Sequence, residues 1–168
     1  MKRFLLIIAT IFMLSNIGLA QNTAKIQSIF IYNFIKLIEW PSSYKSGTFN
    51  IVVLGNDPIY NELVQLAKAK KAGSQSIKVT KVNGVEEIGN PHILYVPRSK
   101  SNQIVPAKGT IGAKSTLLIT DSKSGISDGA DINFIIVGNK PKFEITTEGA
   151  NAKKLKISSS LLNLGIQK

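Results

Sequence analysis

The chain has 168 residues, no cysteine and one histidine, with 21 basic residues against 10 acidic ones. Disulfide frameworks, thiol redox switches and thiolate metal sites are therefore excluded, and a lone histidine leaves none of the usual zinc ligand sets. The basic excess is lysine, with Arg3 and Arg98 the only arginines; base-edge reading and bidentate phosphate clamps favour arginine, so nucleic acid is not the expected partner.

Residues 1–20 open with Lys2 and Arg3, run through an apolar stretch from Phe4 to Leu14, and end in small residues around Gly18 and Ala20. This is the pattern of a secretory signal peptide cleaved after Ala20, and the apolar run is shorter than the ~20 residues a bilayer span needs. Residues 21–168 then form the exported part, carrying 19 basic and 10 acidic residues for a net charge of +9, at a length that suits one domain. No later segment reads as a membrane span, because Asn33, Lys36 and Glu39 interrupt the one apolar candidate. The lysines read as solvated faces, Lys68, Lys70 and Lys71 closing a helix and Lys153, Lys154 and Lys156 lying near the C-terminus. An acidic partner or an anionic membrane surface suits that charge.

Residues 24–41, AKIQSIFIYNFIKLIEWP, predict a helix running to Trp40 and stopped by Pro41. At about 100° per residue, Lys25, Ser28, Tyr32, Lys36 and Glu39 form one polar stripe, and most of the remaining arc is apolar. Such a helix needs contacts on two sides, inside its own domain or against a partner. Trp40, at the helix end, is expected to give its indole N–H to an acceptor.

Residues 49–54 (FNIVVL) read as a strand buried on both faces. Gly55-Asn56-Asp57-Pro58 turns into a helix, with Asp57 as N-cap, Pro58 as first helical residue and Gly73 as the stop. Residues 77–82 and 92–96 are further strands, with a short helix at residues 85–88 between them. A short helix is expected at residues 99–105, and a fourth strand at residues 116–120 follows. Residues 131–137 and 140–146 form a hairpin about Gly138-Asn139, in the register that sets Ile132 against Ile145, Asn133 against Glu144, Phe134 against Phe143 and Val137 against Lys140. One face of it, Ile132, Phe134, Ile136, Phe143 and Ile145, is wholly apolar. The expectation is an α/β chain, a single-domain Rossmann-like three-layer sandwich whose mixed, mostly parallel sheet ends in an antiparallel hairpin.

Candidate chemistry is sparse. His92, at the start of a buried strand, reads as a structural histidine. The Gly55 turn opens a helix where anions bind, but it lacks a glycine-rich fingerprint and reads as capping. Asp121, Asp128 and Asp131 make an acidic loop whose spacing, with Lys123 inside it, does not match a calcium site. Asn133 and Glu144 either line a polar pocket or bond to each other across the hairpin. No catalytic residue, metal ligand or cofactor is assigned, and the ligand-binding residues stay open.

The chain resembles the YfiR-like family of exported bacterial proteins along most of its length. The matching residues are Tyr32, Asn33, Phe34, Glu39, Trp40 and Pro41 in the first helix, Gly55, Asp57 and Pro58 in the turn, Asn133, Phe134, Phe143 and Glu144 in the hairpin, and the ending LKISSSLL. The resemblance implies a periplasmic α/β domain over residues 21–168, often dimeric, that restrains a membrane-bound diguanylate cyclase by binding its periplasmic part and catalyses no reaction. It also allows partnership with other sensors such as histidine kinases. Redox-linked disulfides found in some relatives cannot be carried over to a chain without cysteine.

Overall fold

The first helix, α1, covers residues 22–37 in a computed structural model that describes residues 22–168. The predicted signal peptide lies outside the described residues. After α1 come β1 (Ile38–Glu39), β2 (Phe49–Leu54), α2 (Ile59–Ala69), β3 (Lys71–Ala72), β4 (Gln75–Val82), β5 (Ile93–Val96), α3 (Ile104–Ile111) and β6 (Leu117–Thr120). The hairpin strands β7 (Ile132–Val137) and β8 (Lys140–Ile145) follow, then α4 (Glu148–Ala152), β9 (Lys156–Ile157), α5 (Ser159–Leu164) and β10 (Ile166–Gln167).

Eight strands form one mixed sheet in the order β10-β8-β7-β6-β5-β2-β4-β3. Strands β4, β2, β5, β6 and β7 are mutually parallel, while β8 returns antiparallel to β7. The strand β2, apolar at every position but Asn50, sits in the middle because its two faces feed two different cores. Phe49, Ile51 and Val53 join α1, α2 and α5 on one side, and Val52 and Leu54 join α3 on the other. The same alternation runs through β5, with Ile93 and Tyr95 on the first side and Leu94 and Val96 on the second.

Along α1 the buried residues are Ala24, Gln27, Ser28, Ile31, Phe34 and Ile35, a stripe at helical spacing on one face. Ile31, Ile35 and, just beyond, Ile38 are 0 %, 8 % and 4 % exposed, so contacts within the chain cover the apolar face of this helix. Ser28 is buried rather than part of a polar stripe, because its hydroxyl donates to the Lys25 carbonyl at 2.8 Å and needs no solvent. The helix also stops three residues earlier than expected. Ile38 and Glu39 become β1, paired antiparallel with Ile157 and Lys156 of β9.

Two further expectations are corrected. Gly73 does not stop α2, which ends at Ala69 because Lys70 is extended; Gly73, at φ +60°, makes the turn between β3 and β4. Lys153 is not a solvated face, being 7 % exposed against the Asp131 carboxylate. The hairpin register is the expected one at every pair, and Gly138 and Asn139 both take positive φ, as a two-residue turn matched to strand twist requires. Its apolar face is shorter than expected, since Ile136 is 57 % exposed.

Candidate functional site

Chain order and sheet order part company at β2, which is followed in sequence by β4 on one side and then by β5 on the other. In parallel sheets the crevice beyond the carboxyl ends of the strands at such a reversal is where ligands bind. A cleft of about 360 Å³ lies there, with Asp57 and Pro58 after β2, Tyr95 and Arg98 at the end of β5, Asp121 directly after β6, and Gln27 from α1. Gly55 makes the approach possible. Its φ of +82° suits glycine, and a side chain there would press on Lys100, whose Cε lies 3.0 Å from the Cβ position.

Asp57 caps α2 by accepting from the Ile59 N–H at 3.0 Å through Oδ1. Burial pushes its carboxyl above the usual aspartate value, the Ile59 N–H works against that, and the nearby Asp121 adds to it. Asp121 is held on several sides. It accepts from the Arg98 backbone N–H at 2.6 Å, and the Arg98 Nε–H donates to its carbonyl at 3.0 Å. Tyr95 is 1 % exposed, and burial, with the two carboxylates behind it, raises its phenol well above the ordinary value. Gln27 is 7 % exposed, lines the cleft, and its amide makes no hydrogen bond among the described residues.

A larger cavity of about 550 Å³ lies by α3 and α4, lined by Lys108, Asp131 and Lys153 among others. It lies away from the reversal of strand order, and three of its five charged lining residues are held in ion pairs. Lys153 pairs with Asp131, and Lys168 with Glu144 at 3.1 Å. Asp131 also accepts from the Leu118 N–H at 2.7 Å, and its Oδ1, turned toward Gly149, has no partner. We therefore take the smaller cleft as the better candidate.

The residues singled out in the sequence fall into separate groups. Phe34, Phe134 and Phe143 meet with Phe30 in one cluster, with ring centroids 5.0 Å apart for Phe34 and Phe143 and 5.5 Å for Phe30 and Phe143. Asn133 donates to Glu144 at 3.0 Å across the hairpin, the structural alternative rather than the polar pocket. Tyr32 lies under the ammonium groups of Lys36 and Lys70, and Asn33 beside it is half-buried.

Trp40 docks at the opposite, amino edge of the sheet. It gives its indole N–H to the Ser115 carbonyl at 3.0 Å and packs edge-on against Phe49. Glu39 is exposed and bonded to Lys45 at 2.7 Å, which holds its carboxyl below the ordinary range, and Pro41 starts the following 3-10 turn. His92 bridges two backbone groups, accepting at Nδ1 from the Asn50 N–H at 3.1 Å and contacting the Tyr44 carbonyl through Nε2 at 2.9 Å. The acidic loop disperses, with Asp128 on Ser124, Asp131 on Lys153 and Asp121 on Arg98, and no cluster suited to a metal is found among the described residues.

Of the singled-out residues, Asp57, Pro58, Asp121 and Ile136 reach the cleft. Gln27, Tyr95 and Arg98 were not anticipated. Arg98 carried a readable signal, as the sole arginine of the exported part, directly after a predicted strand and Pro97. A glutamine on a helix carried none.

No curated protein sequence matches the chain. The sequence model of the YfiR/HmsC-like family matches residues 24–166, nearly all of the described fold including α1, the Gly55 turn and the hairpin. The chain belongs to the YfiR/HmsC-like family.

Proposed function

We propose that this protein is a periplasmic regulator that docks on the sensor region of an inner-membrane signalling enzyme of the diguanylate cyclase type and restrains it. The observation that carries this reading is the match to a family of periplasmic regulators across residues 24–166. Export by cleavage after Ala20 is part of it, and mass spectrometry of the periplasmic protein should find Gln21 as the first residue. So is a homodimer, for which sedimentation of the processed protein is the measurement.

Because Ile31, Ile35 and Ile38 are covered within the chain, docking has to use other apolar groups, and Ile136 and Leu164 are 57 % and 64 % exposed. Deleting the gene should raise cyclic-di-GMP, and in-cell crosslinking should recover a membrane protein with a periplasmic sensor region. Unchanged output with no membrane protein recovered overturns the reading. Recovery of a sensor histidine kinase keeps the docking and redirects the output. Ile136→Lys and Leu164→Lys should each leave stability within about 0.5 kcal/mol, as exposed substitutions do, while at least one of them releases the restraint.

A further inference from the structure

The structure assigns to the cleft at the carboxyl ends of β2, β5 and β6 a second role beside docking: binding a small ligand that carries a protonated amino group, with Asp57 as its counter-ion and Gln27 as its second contact; Ile136 also lines this cleft, so Leu164→Lys is the variant that tests docking apart from it.

The argument is one of unspent hydrogen-bonding capacity. Asp121 already has the Arg98 backbone N–H on its carboxylate, with the Arg98 guanidinium beside it, so its charge is answered within the chain. Asp57 differs. One oxygen caps α2, and its carboxylate has no ion-pair partner among the described residues although burial disfavours its charge. Gln27 adds an independent sign, since the residue is 7 % exposed and its amide, bonded to nothing else among the described residues, opens on the cleft. Both line the same cleft, and about 360 Å³ is a volume suited to a small metabolite.

A protonated amine satisfies both groups, offering one N–H to the free oxygen of Asp57 and another to the Gln27 carbonyl. A divalent cation fits less well, because it seeks several carboxylate oxygens and those of Asp121 are engaged by donors. Arg98 stands at the cleft mouth with its side chain 63 % exposed, where it meets any carboxylate the ligand carries.

The test is calorimetric titration of the processed protein with putrescine, ethanolamine and alanine, with magnesium chloride and glucose run in parallel. At least one amine should saturate below about 1 mM, and Asp57→Asn should weaken it by roughly tenfold or more, the worth of a charge-assisted hydrogen bond. Asparagine caps helices as well as aspartate, so this variant keeps α2 while removing the charge. Gln27→Leu should weaken binding with the melting temperature held. If alanine alone binds and Arg98→Gln abolishes it, the ligand is an amino acid; if a diamine binds regardless of Arg98, it is a simple amine. No amine saturating, binding unchanged in both Asp57→Asn and Gln27→Leu, or saturation by magnesium or glucose alone overturns the assignment.

Discussion

His92 shows how one side chain ties stability to pH. With Nδ1 accepting from the Asn50 N–H, the ring is the neutral Nε2–H tautomer, which donates to the Tyr44 carbonyl. A second proton would remove the acceptor. Burial lowers its pKa below the ordinary 6.5, with the Tyr44 bond opposing. Between the lowered folded value and 6.5 the unfolded chain binds a proton that the folded chain refuses. Stability is therefore full above that window and is lost as pH falls through it. Urea melts across pH 8 to 5 should show this loss, and His92→Gln should flatten the slope.

The buried pair of Asp131 and Lys153 behaves differently, because neither partner reaches water. Lys153→Met should cost about 3–5 kcal/mol by leaving the carboxylate uncompensated, and adding Asp131→Asn should recover part of the loss. A double-mutant cycle by urea unfolding measures both. Lys153 sits in the lysine-rich segment around Lys154 and Lys156, and only a partner twenty-two residues upstream distinguishes it.

At the level of elements, what could be read in advance was what local chemistry decides. The hairpin followed from period-two alternation and a Gly-Asn turn, and β2 from a run apolar at nearly every position. The two-residue strands β1, β9 and β10 have no such signature. They exist because a neighbouring strand edge is in reach, β10 for instance lying parallel against β8 at Glu144 and Ile145. Likewise the polar stripe expected of α1 failed at Ser28, where a backbone carbonyl took the hydroxyl.

The approach of β10 depends on Gly165, where an added Cβ would lie 2.5 Å from a Phe143 ring carbon. Gly165→Ala should destabilise by about 1–3 kcal/mol through overpacking, visible as a lower melting temperature. Phe34→Ala, at the centre of the four-ring cluster, should cost about 3–5 kcal/mol in the same assay.

Across the whole molecule, α1 lies along the first core from the cleft at one edge of the sheet, where Gln27 sits, to the amino edge, which the chain reaches at Trp40. The family residues divide accordingly. Those of the aromatic cluster and the amino edge hold the sheet together, while Gly55 and Asp57 shape the cleft. A sequence motif spread over three segments thus resolves into architecture plus one opening, and nothing in residue type alone separates the two.

The aromatic cluster has a consequence for how the chain is made. Phe30 and Phe34 meet Phe134 and Phe143 roughly a hundred residues later, and β1 pairs with β9 later still. The first described element to be made is therefore completed by nearly the last. Until β8 arrives, α1 carries an apolar face with nothing to cover it, the kind of exposed surface that recruits chaperones and invites aggregation. Folding of this protein has a high contact order, and a chain halted before residue 143 should remain open to protease however long it is given.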